Sequence, residues 1–304
     1  MRIPLQPDII RAALDAPGAR WSRVEFHPAL ESTNERAKVL LRSYAEHQTA
    51  APPPHPLRPS AGEPGVDDGP LWGIVVADHQ TGGRGRLGRS WEVPDRAAIA
   101  LSATVPVAEP AAAGWMPLLA GLALSRAITE VAATAGTTLT TRLKWPNDVL
   151  LANDEDRKVS GILCELVPLA PGAGLAVVVG TGINIDQTRA ELPVDTATSL
   201  ALAGATIRRE DLIVAYLGHL GELTDPTGDG SGAIDVAGGR AAYGLACSTI
   251  GAQVRVNLPT GEVVEGEATG VDRAGGLVVA TVRGVRSFPA GDVVHVRNAR
   301  GGLA

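Results

Sequence analysis

The sequence predicts an α+β protein: strands and helices over residues 1–246, then a small all-β unit over 247–304. Three observations carry this. Residues 31–47 and 115–135 space their apolar side chains three and four apart, as helices do. Residues 98–107 alternate Ile99, Leu101, Ala103 and Val105, the period of a half-buried strand. After residue 247, short strand-like runs are broken by Gly, Pro and Asp at fairly regular spacing, the texture of a small barrel or sandwich. The chain has 304 residues, 45% of them apolar, enough for one large domain and a small one.

In chain order, "ESTNERAKVLLRSYAEH" (31–47) predicts a helix capped by Ser32 or Thr33, with Ala37, Leu40, Leu41 and Tyr44 on one face. Residues 50–70 are rich in Pro, Gly and Asp, bury little and predict a disordered surface insertion. "LWGIVVADHQ" (71–80) reads as a short buried strand, and "AIALSATVPV" (98–107) as the next. Residues 115–135 form the longest helix, through Leu118, Leu119, Leu122, Ile128 and Val131. "KVSGILCELV" and "LAVVVGTGINI" predict a hairpin joined by "PLAPGAG". Residues 207–223 predict a second long helix. "QVRVNL", "VVEGEATGV", "GLVVATV" and "VVHVR" supply the final strands, and the break after "AAYGLAC" (241–247) marks the domain boundary.

Composition narrows the function. A net charge of −6 argues against a general nucleic-acid binder, which is usually basic. Two cysteines far apart, Cys164 and Cys247, suit a reducing cytosol and offer no disulfide framework or zinc pattern. "MRIPLQPDII" lacks the apolar core of a signal peptide, and no apolar run reaches about 18 residues, so no membrane span is expected. A cytoplasmic location follows. The six histidines show no H-E-x-x-H spacing and no Ser sits in G-x-S-x-G, so nucleophilic catalysis has no support.

The most informative stretch is "GGRGRLGRSW" (82–91). Each glycine weakens regular structure by roughly 0.5–1 kcal/mol relative to Ala, and arginines this close repel. Gly83, Gly85 and Gly88 fit G-x-G-x-x-G, but Pro94 and another strand follow where a dinucleotide fold needs a helix. An idle surface turn gains nothing from such crowding. An anion clamp remains: glycines bring backbone N–H groups close to a ligand, while Arg84, Arg86 and Arg89 supply forks for carboxylate or phosphate. Trp91 serves as an apolar wall or as an ordinary core residue. "KWPND" (144–148) places Lys144, Asn147 and Asp148 in a turn. Lys158 precedes a strand whose Gly161 permits close approach, which favours a lysine aimed into a cleft over a solvated one. "GTGIN" (180–184) ends a strand at Asn184, as a ligand contact or a plain turn. Ser32, Thr33 and Asn34 are a helix cap and also a site for a polar ligand head. Two lysines, three arginines and several glycines suit a nucleoside triphosphate bound with a small carboxylate.

"ESTN", "GRGRLGRSW", "KWPNDV", "RKVSGILCE" and "GTGINI" occur in this order, and together they resemble biotin protein ligases across residues 31–186. The tail after 247 resembles that family's SH3-like C-terminal domain. The resemblance implies a mixed β-sheet with helices, related to the class II aminoacyl-tRNA synthetase core, over 1–246, and an SH3-like barrel over 247–304. It implies that ATP, with Mg2+, activates biotin as biotinyl-5′-AMP, which then biotinylates a lysine of a carboxylase carrier domain. By position, Ser32, Thr33, Asn34, Gln80 and Gly161 hold biotin, and Gly83, Arg84, Gly85 and Arg86 close over it. Lys158 contacts the biotin carboxyl and the α-phosphate. Arg86, Lys144 and Asp148 complete the catalytic set, and Arg89, Trp91, Lys144, Asn147 and Asn184 line the nucleotide side; metal ligands are not assigned. About 25 residues precede the motifs, too few for the winged helix-turn-helix of repressor members, so the ligase-only type is expected. A monomer or weak homodimer with no nucleic-acid or membrane partner follows. The insertion at 50–70 and the stretch between Asp148 and Lys158 are longer than the family's usual connections. A lipoate ligase is the competing reading, and a non-catalytic nucleotide-binding scaffold leaves Lys158 unexplained.

Overall fold

The computed structural model describes residues 2–15, 20–21, 23–49, 70–169, 174–230 and 232–295. The proposed insertion at 50–70 lies outside them, apart from Pro70. A seven-stranded sheet forms the centre: β1 (Arg23–His27), β2 (Gly73–Ala77), β3 (Ala98–Val107), β4 (Thr141–Lys144), β5 (Asp148–Leu151), β6 (Arg157–Pro168) and β7 (Leu175–Asn184). Their spatial order is β1-β2-β3-β7-β6-β5-β4. β1 and β2 are parallel and every other pair is antiparallel, so the sheet is mixed. β6 and β7 pair antiparallel, as the expected hairpin requires. The strand expected over 71–80 is shorter, because a 3-10 turn at Pro70–Trp72 precedes β2.

Helices cover both faces of the sheet. α2 (Thr33–Thr49) packs Ala37, Leu40 and Leu41 on Val75, Val167 and Val178 of one face. The Tyr44 side chain lies outside the described residues. α3 (Met116–Thr134) and α4 (Arg209–Thr224) cover the other face, against Ile99, Leu101, Ala103 and Val105. β3 is therefore buried at all ten positions, where its alternation predicted one wet face. The small residues Ala100, Ser102 and Thr104 on its second face sit under α2 and beside it. Pro117 starts α3 where no N–H is needed, and Gly136 (φ 77°) follows its end.

Among the described residues, Pro110–Thr134 is long and apolar enough by composition to cross a bilayer, with mean hydropathy 1.3. The protein itself buries 67% of the most apolar window of that stretch, as expected of a core helix.

Five elements of the larger part had no clear signal. α1 (Pro7–Leu14) is short, and β1 is half-buried throughout. α5 (Val236–Ala246) carries three glycines and starts at Asp235, whose carboxylate accepts from Gly238 N. β4 and β5 pair on either side of "KWPND", which the sequence reads as a turn alone.

The C-terminal part is a five-stranded antiparallel sheet: β8 (Gln253–Asn257), β9 (Val263–Val271), β10 (Leu277–Thr281), β11 (Gly284–Phe288) and β12 (Asp292–His295), in the order β11-β10-β9-β8-β12. Gly284–Phe288 was not foreseen as a strand, being exposed except at Phe288. The sheet leans on the larger part. Trp115 and Trp145 are buried and donate their indole N–H groups to the Arg273 and Gly275 carbonyls. The main apolar cluster runs from the α3 face through to Val254, Val279 and Val293 without a break.

Candidate active site

The site lies where the α2-covered face of the sheet changes from valine to glycine. Ser102, Gly180 and Leu163 stand side by side on β3, β7 and β6; two residues along, Ala100, Gly182 and Gly161 do the same. Two side chains use this missing bulk. Asn34, at the start of α2, rests on Gly180, where a Cβ would collide with its amide oxygen. The Trp91 indole lies across Gly182 and Gly161; a Cβ on Gly182 would come within 2.6 Å of the ring. Gly161 was expected to admit biotin. In this structure its open side is occupied by Trp91 and by the Lys158 ammonium, 3.0 Å from a Cβ built there.

The start of α2 is tied into a polar network. Thr33 N donates to Gln80 Oε1 at 2.8 Å. Asn34 Nδ2 donates to the Leu163 carbonyl (3.2 Å) and to Glu165 (2.8 Å). Ser102 Oγ lies 2.6 Å from Asn34 Oδ1 and 2.7 Å from Thr33 Oγ1. Glu165 also pairs with Lys38 at 2.8 Å. Burial pulls the Glu165 pKa upward, but the hydrogen bonds from Lys38 and Asn34 outweigh it and hold it below the ordinary value. Ser32 Oγ accepts a long bond from Glu35 N, a weak cap. Ser32, Thr33 and Asn34 are all buried. Lys38, Ser102 and Glu165 were not singled out from the sequence. Glu165 stands in the quoted "SGILCE"; Ser102 left no mark in its strand.

The arginine stretch folds as a tight antiparallel turn. Trp91 N donates to Gly83 O (2.8 Å) and Gly85 N to Arg89 O (2.7 Å). Gly83 has no room for a Cβ beside the Trp91 carbonyl, and Leu87 and Gly88 adopt left-handed backbone at the tip. The three arginines point to three places. Arg84 is exposed and within 3.5 Å of Glu35. Arg86 donates to Asn147 Oδ1 (3.1 Å) and to the Gly291 carbonyl of the C-terminal sheet (3.0 Å). Arg89 pairs with Asp292 at 2.7 Å. Burial lowers the Arg86 pKa, with Asp148 and Asp292 partly restoring it. The backbone of this stretch is thus bonded across the turn, and its arginines already have partners. Asp292 and Gly291 lie too far along the chain for spacing to reveal them.

Lys158 enters from β6 beside a bulge, since Leu150 pairs with Lys158 and Val149 with Ser160. Its backbone is fixed by Thr196 O and Thr198 N, and its ammonium sits 2.5 Å from Asp148 Oδ1. Asp148 faces Lys144 across β4 and β5. Lys144 lies toward the C-terminal sheet: burial first, then the Lys144 charge, keep His295 below its ordinary pKa. Asn147 anchors Arg86 while its Nδ2 donates to the Ile162 carbonyl at 2.8 Å. Asn184 differs from expectation. It is buried, with Nδ2 donated to Thr198 O and Oδ1 accepting from Gln187. Its amide is committed to the protein, so it shapes the end of β7 rather than reaching outward.

The structure therefore gathers Arg86, Trp91, Asn147, Asp148, Lys158 and Gly161 into one group, with Ser32, Thr33, Asn34, Gln80 and Gly83 beside it. Among the described residues no group of three His, Cys, Asp or Glu side chains could hold a metal ion. Burial pushes the Cys164 thiol far up, away from thiolate chemistry. An open hollow of about 560 Å3 lined by Arg2, Asp95, Arg96 and Asp186 lies past the Ala98–Asn184 end of β3 and β7. Its charges pair with one another, Arg2 with Asp186 at 2.7 Å, so the convergence of polar groups marks the site better than the hollow does.

Residues 70–184 match the biotin/lipoate A/B protein ligase family, and residues 249–296 match the biotin protein ligase C-terminal domain. The chain is 33% identical over 300 residues to the biotin--[acetyl-CoA-carboxylase] ligase of Mycobacterium tuberculosis, covering 98% of each. The chain belongs to the biotin protein ligase family. A bifunctional ligase/repressor BirA from Bacillus subtilis is 30% identical over 274 residues, 88% of this ligase and 72% of that protein. The fold of this ligase is shared with the Aquifex aeolicus biotin protein ligase solved with biotin and ATP: TM-score 0.63 at 24% identity, covering 91% of this chain and all of the other. The all-antiparallel C-terminal sheet agrees with the SH3-like unit expected of a biotin protein ligase.

Proposed function

We propose that this ligase activates biotin with ATP and transfers it to a lysine of a biotin-dependent carboxylase carrier protein. The near-full-length likeness to the Mycobacterium tuberculosis ligase carries this reading. The gathered cations support it. In the first step a biotin carboxylate oxygen attacks the α-phosphorus, the bond to the β-phosphate breaks, and pyrophosphate leaves. Negative charge builds between carboxylate and phosphate. Lys158 is the ammonium placed there, releasing Asp148 as substrate oxygens replace it, and Arg86 supplies a second cation. Asp148, once Lys158 has released it, would be the carboxylate of this group able to hold a magnesium ion, which would shield the charge of the ATP phosphates. In the second step the acceptor amine attacks the acyl carbon and AMP leaves.

Ser32, Thr33 and Gln80 contact the biotin ring in this reading, with Asn34 behind them. Gly83, Arg84, Gly85 and Arg86 cover the adenylate and keep water from it. Arg89, Trp91, Lys144 and Asn147 border the nucleotide. Asn184 acts only through the β7 end. The acceptor is a carrier domain of an acyl-CoA or pyruvate carboxylase, and the ligase works in the cytoplasm as a monomer or weak homodimer. Pyrophosphate release with biotin, but not with lipoate, is the expected result. Release with lipoate alone would favour the other branch of the family, and no release with either would remove the assignment.

A further inference from the structure

β6 and β7 last pair at Ser160 and Ile183, and β7 ends at Asn184, so Lys158 has no β7 partner. On its other side Lys158 stands at the bulge with β5, where the ladder is irregular. A short strap, residues 195–198, takes the missing place. Thr196 O accepts from Lys158 N, and Thr198 N donates to Lys158 O, both at 2.8 Å. The other strap carbonyls are bonded as well: Asp195 O by Arg157 Nε (2.9 Å), Ala197 O by Arg189 (2.9 Å) and Thr198 O by Asn184 Nδ2 (2.8 Å). One carboxylate joins these groups. Asp154 accepts from Arg157, from Arg189 and from the Thr198 hydroxyl. Its side chain is 15% exposed. Burial pushes its pKa up, but the bonds from Thr198 and Arg189 outweigh burial and hold it below the ordinary value, so it is a carboxylate at neutral pH. These partners all lie outside the group gathered at the site.

We propose that Asp154 is a positioning residue for Lys158: it fixes the strap that holds the lysine backbone, and so places the ammonium where carboxylate and α-phosphate meet. A lysine stem is flexible, so its ammonium is only as well placed as the backbone that carries it. The room for error is small. The ammonium contacts Asp148 and lies 3.0 Å from a Cβ built on Gly161. A displacement of about 1 Å at a reacting group can cost about 10²-fold in rate. Asp154 suits the task because its two oxygens join three stretches: the start of β6 through Arg157, the 189–191 turn through Arg189, and the strap through Thr198. Glu155 and Asp156, directly after it, adopt left-handed backbone in the turn that presents Asp154 to the strap. Such a pair of residues persists where its surroundings hold it. An amide at position 154 would turn an N–H toward groups that need an acceptor.

This inference rests on the function proposed above. Its test is kcat and KM for biotin-dependent pyrophosphate release by the full chain. Asp154→Asn should lower kcat about tenfold while KM for biotin changes less than about twofold, since the groups read as contacting the biotin ring are untouched. Thr198→Val removes one bond to the carboxylate, should lower kcat in the same direction, and covers the case that Asp154→Asn fails to fold. In a Lys158→Ala background, Asp154→Asn should cause no further loss of the residual rate, because no ammonium remains to be misplaced. An equal further loss there would mean a structural role only and would overturn the proposal, as would an unchanged kcat in both single variants. Arg142→Gln breaks the ion pair of the same turn with Asp156, outside the strap, and should leave the rate unchanged. A loss there matching that of Asp154→Asn would also overturn the proposal. Wild-type protein that releases no pyrophosphate would instead reject the underlying function.

Discussion

At the level of single residues, the position of Lys158 was readable in advance, and under the proposed function it is the residue with the most chemistry to do. A lysine before a strand with a glycine three positions on pointed to a cleft, and the ammonium does sit over Gly161 beside Asp148. Lys158→Ala should lower adenylate formation by about 10²–10³ while leaving the fold intact, the usual cost of one oriented charge donor. Activity within twofold of wild type would remove its assignment. The glycines were legible as places of close approach, but what approaches was not. Gly180 and Gly182 receive Asn34 and Trp91, partners that only the three-dimensional sheet reveals. Gly180→Ala should therefore destabilise by about 1–3 kcal/mol and weaken biotin binding. Gly218→Ala, in α4 with nothing near its Cβ, is the control and should be neutral or stabilising in denaturant unfolding. Glu165 adds a pH dependence. Its folded pKa is lowered, so its contribution is present above the ordinary carboxylate value of 4.5 and is lost as pH falls through the folded value. Biotin affinity should be flat across neutral pH and fall only on the acid side. A fall already on the basic side of 4.5 would contradict that.

At the level of elements, the three long helices and the central hairpin were legible because their apolar pattern is strong. The β4–β5 hairpin was hidden because each strand has four residues, too few for a period to register. The 82–91 turn was recognised as special, but its tethering was not. Sequence spacing says nothing about Gly291 and Asp292, two hundred residues away. The turn should accordingly show intermediate protection from hydrogen exchange without ligand, and more with biotin and ATP. Asp292→Ala should speed exchange at 82–90 in the ligand-free protein, because Arg89 loses its partner. Unchanged exchange in that variant would mean the backbone bonds alone hold the turn.

At the level of the whole molecule, the change in texture after residue 247 marks a real change of architecture, from a mixed sheet to an antiparallel one. The apolar cluster nevertheless crosses it, and Trp115 and Trp145 depend on carbonyls at Arg273 and Gly275. A chain ending at Cys247 should be insoluble or molten, since it exposes apolar core and leaves two indole N–H groups without acceptors. A well-folded truncation with sharp thermal unfolding would contradict this. Activation of biotin by ATP is read out by pyrophosphate release from the purified full chain. Release should require both biotin and ATP, be absent with lipoate, and collapse in Lys158→Ala. Release independent of biotin, or driven by lipoate in its place, would contradict it.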